Sequence, residues 1–266
     1  IGIYYRSDRT AEQLKSEEES VFFVEPIKDY VGSCLEKSLS NTIAYVSLQG
    51  GYYDTPERPV KFNLEAKGSI DVPYYLYSEN LTFPDQKKVN EQLEKGVSNY
   101  FLDCLDFSPF PYSINVREER LKTTVAVSED KIKAEVFLPI EIEKGHLSRT
   151  IEYFSASADT KFSELYAVAR ELTLEQHKGE GQICISCVRK QAIKSDLAID
   201  FFEIEAKTDL YVVTRQNPLT GQYFIDVYDS PAETHHSTLL YLLTKTGRQG
   251  QEVFAFAHKY NLSVEG

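Results

Sequence analysis

The most constraining feature of the sequence is one amphipathic stretch, from Pro26 to Asp54. Its apolar residues recur at the three-and-four spacing of a single helical face: Ile27, Tyr30, Val31, Cys34, Leu35, Leu39, Ile43 and Val46. Pro26 suits a first helical position, where the backbone needs no N–H donor. Gly50 and Gly51 are typical of a helix C-terminal stop with close packing. We therefore expect a helix that begins at Pro26 and carries a cysteine in its buried face.

A second amphipathic helix is predicted from about Asp85 to Asp106, after Pro84. Its apolar face again contains a cysteine, and the full set is Val89, Leu93, Val97, Tyr100, Phe101, Cys104 and Leu105. Both helices carry the pattern Tyr-x-x-x-Cys-Leu, at residues 30–35 and 100–105. The matched pattern indicates two faces presented to each other at equivalent depth, and Gly32 and Gly96 would let the helices approach. We expect a disulfide between Cys34 and Cys104.

The other two cysteines form a C-x-x-C motif, Cys184 to Cys187. Four cysteines allow three pairings, or four buried free thiols in a reducing compartment; we expect Cys184 to bond Cys187. Such a motif at a helix N-terminus would have a lowered thiol pKa and redox activity. Here it follows a helix and two glycines, so we interpret it as a structural loop. A metal site would need further ligands, and His235 and His236 are adjacent on a strand, where side chains point to opposite faces.

From Tyr112 the hydrophobic period changes to two, which is typical of strands. Strands are predicted at residues 123–127, 132–142 and 149–154, with a turn at 128–131. A third helix is predicted from about Lys161 to His177. Two hairpins follow, at 210–214 with 223–228 and at 239–244 with 253–258, whereas residues 52–82 form an irregular segment with one or two short strands. The pattern predicts an α+β fold, a helical layer packed on antiparallel β-sheet and stapled by disulfides. The expected parts are 1–24 (a membrane-proximal segment), 25–110 (helical) and 111–266 (β-rich), or one compact domain.

Composition excludes some functions and favours a location. The chain has 266 residues with 41 acidic against 29 basic side chains, a formal net charge of -12, so nucleic acid is not an expected partner. There is no methionine, and the apolar residues Ile1 to Tyr5 are followed by charges. This pattern is typical of the water-side end of a membrane helix, although a short edge strand fits the same residues. No run of 18 apolar residues is present, so we expect this portion to be soluble.

No motif in the sequence predicts a reaction. Gly-rich phosphate loops and Gly-x-Ser-x-Gly are absent, and no carboxylate pair stands out, so we predict no catalytic residue, no metal and no cofactor. Two glycosylation sequons, at Asn80 and Asn261, are expected in loops. One further candidate is a peptide- or glycan-binding surface of exposed tyrosines, unless these rings cover the helical core: Tyr52, Tyr53, Tyr74, Tyr75 and Tyr77.

Three segments carry a family resemblance: Ser33-Cys-Leu-Glu-Lys37, Leu48-Gln-Gly-Gly-Tyr52 and Val72-Pro-Tyr-Tyr-Leu-Tyr77. Together they resemble an uncharacterised family of archaeal membrane-anchored proteins, and the resemblance extends to about residue 190. It implies an N-terminal apolar anchor helix, pilin-like in some members, and no established reaction.

The resemblance and the composition together lead to one expected function. We expect the extracytoplasmic domain of a single-pass protein at the cell surface, with a structural, adhesion or pilus-like assembly role and with protein partners or self-assembly. The alternatives are a thiol-disulfide oxidoreductase that uses Cys184 and Cys187, or a peptide- or glycan-binding module.

Overall fold

A computed structural model describes residues 2–64, 68–179, 183–203, 212–216, 223–227, 235–247 and 250–262. For residues 2–22, 62–64, 68, 202–203, 212–216, 223–227, 235–237 and 261–262 only the backbone is described. The helices of this part are α1 (Gly2–Leu48), α2 (Gln86–Cys104), α3 (Phe162–His177) and α4 (Ile185–Ser195). The strands are β1 (Val60–Leu64), β2 (Gly68–Val72), β3 (Tyr74–Tyr77), β4 (Asn80–Leu81), β5 (Ser113–Val116), β6 (Lys122–Val127), β7 (Lys131–Lys144), β8 (Leu147–Asp159), β9 (Ala198–Glu203), β10 (Val212–Gln216), β11 (Tyr223–Val227), β12 (His235–Gly247) and β13 (Gly250–Leu262). The predicted α+β class is confirmed.

The first helix is longer than predicted, because Pro26 lies inside α1 and does not begin it. Proline removes one backbone donor from the helix, but its fixed φ is compatible with helical geometry. The residues upstream of Pro26 are rich in Glu, Lys, Arg and Gln, which have high helix propensity. Phe23 is buried one turn before Ile27, so the apolar face continues across the proline. Burial on both sides of Pro26 offsets the cost of the lost hydrogen bond.

The chain forms two compact units, each built from several stretches. Unit 1 contains Ile1–Asn41, Glu94–Ala126 and Lys133–Ala158, and unit 2 contains Thr42–Leu93, Val127–Ile132 and Asp159–Gly266. The expected parts, 1–24, 25–110 and 111–266 or one compact domain, stay a prediction. Strands after residue 110 provide the sheet on which the helical part of unit 1 packs.

Unit 1 is a helical layer on an antiparallel sheet. The predicted disulfide between Cys34 and Cys104 is confirmed and joins α1 to α2, with Cα atoms 5.7 Å apart. In the sheet, β7 pairs with β5, β6 and β8. Alternate residues of β7 are buried, namely Ala134, Val136, Leu138, Ile140 and Ile142. On α2, the Phe101 ring lies 6.4 Å from that of Phe154, and the Glu94 carboxylate accepts the Val125 amide at 3.1 Å.

Gly32 was expected to let α1 approach α2 closely, but the structure does not place α2 against it. A Cβ placed on it would meet no atom within 4 Å. The space beside Gly32 is open, so the disulfide does not depend on a glycine at this position.

Unit 2 contains a five-stranded sheet in the order β4-β3-β13-β12-β9. Its centre is the long hairpin of β12 and β13, while β3 joins β13 in parallel. Helix α3 covers one face, where the Phe162 and Phe254 rings are 5.8 Å apart. On the other face, Leu240, Ala255 and Ala257 form a buried cluster with Val60 and Val72. Both faces of the central hairpin are therefore buried.

The remaining β-hairpins bear out the predicted pattern in part. Strand β10 pairs antiparallel with β11, as expected, whereas residues 217–222 between them lie outside the described residues. Residues 52–82 contain four short strands, of which β1 and β2 form a separate antiparallel pair. This segment is more regular than predicted because its apolar residues cover the central hairpin.

The stop after α1 requires glycine. Gly50 has φ +54°, and a Cβ built on it would lie 2.8 Å from Pro73 Cγ and 2.9 Å from the Ala255 carbonyl oxygen. Gly51 follows with φ +84°. These contacts confirm the helix stop with close packing that the glycine pair predicts.

Candidate functional site

The C-x-x-C motif opens a helix, and it is not the loop that we predicted. Cys184 is the N-cap of α4, and its sulfur accepts a hydrogen bond from the backbone N–H of Cys187 at 3.2 Å. Cysteine therefore occupies the position that Ser or Asp takes at most helix starts. The expectation of a loop was wrong because the N-cap contact of Cys184 and its hydrogen bonds to Gln176 fix a helix start here.

The two cysteines of the motif are bonded to each other, as predicted, with Cα atoms 5.3 Å apart. Both residues are partly exposed, as are the flanking Ile183 and Ile185. In the other disulfide Cys34 is buried and Cys104 is partly exposed. Of the two disulfides, the one at the start of α4 is therefore the more open to another molecule.

A buried glutamine holds this N-cap in place. The Gln176 side chain, at the end of α3, accepts the Cys184 N–H at 2.8 Å and donates to the Cys184 carbonyl oxygen at 3.0 Å. Gln176 is 1% exposed, so its end of both hydrogen bonds is buried, while Cys184 is partly exposed. This clamp fixes the backbone of Cys184 against α3 and aims the first turn of α4.

Helix α4 is basic in an otherwise acidic chain. It contains Arg189, Lys190 and Lys194 and no acidic residue. Lys194 binds the Glu171 carboxylate at 2.7 Å, and this hydrogen bond lowers the pKa of Glu171. This pair docks α4 on α3. The basic residues of α4 lie on the same helix as the motif. A thiolate at the N-terminus of this helix would be stabilised by the helix dipole and by nearby positive charge.

A second polar cluster lies in the core of unit 2. The Thr173 hydroxyl donates to the Ala169 carbonyl oxygen at 2.7 Å, so it accepts from His258 Nε2 at 2.9 Å. His258 Nδ1 then accepts from the Tyr260 hydroxyl at 2.9 Å, and that hydroxyl accepts from Tyr241 at 3.2 Å. The hydrogen bonds therefore run in one direction and fix His258 as the Nε2–H tautomer.

Burial perturbs each titratable group of this cluster toward its neutral form. It lowers the pKa of His258 to about 3 and raises the pKa of Tyr241 and of Tyr260. Thr173, Tyr241, Tyr260 and His258 are at most 1% exposed. All four side chains are shielded from solvent and from any substrate. The cluster is therefore a part of the core that stabilises unit 2. Sequence analysis missed it, although the alternation of β13 places His258 on the same face as Phe254 and Phe256.

The predicted tyrosine surface is not formed as expected. Tyr52 and Tyr75 are buried, and the Tyr75 hydroxyl donates to the Gly50 carbonyl oxygen at 2.9 Å. Tyr53, Tyr74 and Tyr77 are half-buried. The prediction of five exposed rings is wrong for Tyr52 and Tyr75, because these rings cover the core beside the end of α1.

The sequons lie on strands and not in loops. Asn80 is exposed at the start of β4, after a tight turn in which Ser78 has φ 55°. The Thr82 hydroxyl of this sequon donates to the Tyr74 carbonyl oxygen at 2.6 Å. Asn261 is on β13, and its side chain is outside the described residues. Use of either sequon stays a prediction.

An exposed aromatic pair on unit 1 was not identified from the sequence. The ring of Tyr153 is 77% exposed and lies 5.1 Å from the ring of Phe137. The Arg120 guanidinium stands 5.6 Å from the Phe137 ring centre. We call Arg120, Phe137 and Tyr153 the aromatic patch. Its sequence signal is the outward phase of Phe137 on β7 and of Tyr153 on β8.

Comparison with known proteins assigns no family to this chain. No protein-family model, no curated protein and no solved structure matches it. In the described part of the chain, no helix combines enough length with enough apolar character to span a bilayer. Within the same residues, no group of three or more His, Cys, Asp or Glu side chains is placed to hold a metal ion.

Proposed function

We propose that the chain is the extracytoplasmic domain of a surface-anchored protein with a structural or assembly role. The observation that carries this proposal is the bridge between the buried Cys34 and the partly exposed Cys104, which joins α1 to α2. Disulfides of this kind persist in oxidising compartments and are rare in a reducing cytoplasm. The resemblance to membrane-anchored archaeal proteins supports the same location, with an apolar helix as the anchor.

The shape of the first helix suits a protein that projects from a surface. Helix α1 has 47 residues, which corresponds to a length of about 70 Å. Its C-terminal half is stapled to α2, so the helix is tied to a folded unit by a covalent bond. A long helix bonded to a folded unit in this way would hold that unit at a fixed position relative to a membrane anchor.

The aromatic patch supports an interaction role. Tyr and Arg are the residue types that contribute most to protein–protein binding when they are centrally placed in an interface. Tyr153 is 77% exposed, so its ring is open to a protein partner. We propose that this patch of unit 1 contacts a protein at the cell surface.

The location is tested by labelling intact cells with a membrane-impermeant amine reagent. Lys87 and Lys190 are suitable reporters because their side chains are 86% and 72% exposed. We expect both to be labelled before lysis, and non-reducing digestion to yield a Cys34–Cys104 linked peptide. Labelling that requires lysis, or free thiols at both positions, would contradict the proposal.

The interaction role is tested by chemical cross-linking of intact cells that carry the Tyr153→Ala variant. We expect this substitution to abolish or strongly reduce cross-linked species of higher mass. Leu81→Ala is the matched control, because it truncates a partly exposed apolar side chain on unit 2. Equal cross-linking in Tyr153→Ala and in the unaltered chain would exclude the aromatic patch as the contact.

A further inference from the structure

We infer that the Cys184–Cys187 bridge is an exchangeable disulfide that reacts with the thiols of another protein. This inference is independent of the surface role proposed above, because it concerns the chemistry of one site on unit 2. Three features of the described structure carry it: the helix start, the exposure of the site, and the clamp that holds it.

The helix start provides the electrostatic condition for exchange. Cys184 is the N-cap and Cys187 lies three residues later, so a backbone N–H of the first turn of α4 faces the sulfur of Cys184. This N–H, from Cys187, already donates to that sulfur at 3.2 Å. The same contact would stabilise a Cys184 thiolate once the bridge is opened, as would the positive end of the helix dipole.

Exposure distinguishes this bridge from the other one. Cys184 and Cys187 are both partly exposed, whereas in the first bridge Cys104 is partly exposed but Cys34 is only 3% exposed. Exposed disulfides have more oxidising potentials than buried structural ones and exchange more readily. The partly exposed Ile183 and Ile185 beside the sulfurs offer apolar contact to an approaching peptide.

The clamp keeps the site in place while the bond changes. Gln176 binds the backbone N–H and carbonyl oxygen of Cys184, and neither hydrogen bond involves sulfur. The pairs Lys194–Glu171 and Lys190–Glu175 also hold α4 against α3. Opening the bridge therefore leaves the start of the helix positioned by contacts that do not depend on the bond.

The exchange is a two-electron transfer from a protein dithiol. A thiolate of the partner attacks the Cys184 sulfur, the bond to Cys187 breaks, and Cys187 leaves as a thiolate that takes up a proton. The second partner thiol loses its proton and attacks the partner sulfur of this mixed disulfide, which releases the Cys184 thiolate. The partner dithiol is oxidised to a disulfide with loss of two electrons and two protons, and the cysteine pair of α4 gains both.

The first test uses the unaltered, oxidised chain. It is equilibrated in glutathione buffers of graded redox ratio, quenched with acid and alkylated, and each cysteine peptide is quantified by mass spectrometry. We expect the Cys184–Cys187 bridge to be half reduced at a glutathione ratio at least about tenfold less reducing than Cys34–Cys104 requires. Equal reduction of the two bridges would overturn the inference and leave a structural clip.

The second test compares two single variants that both retain the bridge of unit 1. Cys187→Ser leaves a thiol at the N-cap, and Cys184→Ser leaves one three residues into the helix. With a small aromatic disulfide as the probe, we expect Cys187→Ser to react about tenfold faster at pH 6, because more of its thiol is ionised. Equal rates would overturn the assignment of Cys184, and the wild-type measurement remains decisive if a variant does not fold.

Discussion

The hydroxyl of Tyr30 on α1 donates to the carbonyl oxygen of Cys104, the last residue of α2, at 2.8 Å. The same hydroxyl accepts the backbone N–H of Asp106 at 2.8 Å. One tyrosine therefore satisfies two backbone groups at the end of α2, one turn before the cysteine that is bonded to Cys104. The bridge and the hydroxyl together define how the two helices cross in unit 1.

Replacing Tyr30 by phenylalanine should destabilise unit 1. The ring contacts with Phe107 and Phe110 remain possible, but the Cys104 carbonyl and the Asp106 amide lose their partner. We expect a loss of about 1–3 kcal/mol in the free energy of unfolding, measured by urea denaturation with the disulfides intact. Tyr153→Phe is the control, since its ring is largely exposed, and should change stability by less than about 0.5 kcal/mol.

Removing the two disulfides separately should give unequal effects. The Cys34–Cys104 bridge closes a loop with a sequence separation of 70 residues, whereas the Cys184–Cys187 bridge closes one with a separation of 3. In the chain-entropy model the double alanine variants should lose about 4 and about 2 kcal/mol of unfolding free energy, respectively. The measurement is the urea midpoint of each purified variant. A larger loss for the Cys184–Cys187 pair would contradict the structural role assigned to the first bridge.

Two glycines should respond to alanine with opposite sign. Gly50→Ala places a Cβ against Pro73 and Ala255 at a positive φ, and should cost about 2–4 kcal/mol of unfolding free energy. Gly32→Ala lies within α1 beside open space, and should add about 0.5–1 kcal/mol through reduced backbone entropy. Thermal unfolding of the two variants, compared with the unaltered chain, checks both signs at once.

Burial of His258 should make unit 2 sensitive to acid. Burial lowers the pKa of His258 to about 3 in the folded chain, from an ordinary value of 6.5. The unfolded chain therefore binds the proton first as the pH falls. This contribution to stability is fully present above pH 6.5 and is lost as the pH falls toward 3, by about 1.4 kcal/mol per pH unit within that window.

The check is the pH dependence of urea unfolding in His258→Gln, which keeps a polar side chain without the titration. The stability difference between the unaltered chain and this variant should shrink as the pH is lowered from 6.5 to 4. His177→Gln, which changes an exposed imidazole of the same unit, is the matched control and should keep the acid sensitivity. An unchanged difference across this range would show that His258 is already protonated or solvated in the folded chain.

The helices and the first disulfide could be predicted because their signals are local and repeated. The apolar phase of α2 fixes both the inward cysteine and the burial of Val89, Leu93 and Val97. The start of α1 was misplaced because proline carries a strong local preference for a helix start, and burial of Phe23 and Ile27 on either side of it outweighs that preference. Tertiary packing decides where such a helix begins, and local sequence propensity carries no information about that packing.

The site at α4 could not be placed from the sequence. Whether the C-x-x-C motif forms a loop or a helix N-terminus depends on where α4 begins. The residues of the motif were visible, but the glycines before it fit a loop equally well. Its decisive contact is with Gln176, which lies in a different helix and has no motif of its own. The Tyr241–Tyr260–His258 cluster escaped for a related reason, since it depends on the register of β12 and β13 and on a threonine of α3.

The parallel pairing of β3 with β13 has a consequence for biosynthesis. Tyr74 of β3 lies opposite Ala257 of β13, so its partner strand is made only after a long intervening stretch. At ribosomal rates, roughly 180 residues take about 10–40 s to synthesise. Throughout that interval the nascent chain carries β3 and its apolar neighbours without the strand that covers them. Unit 2 is therefore the portion whose central sheet cannot be completed until β13 has been synthesised.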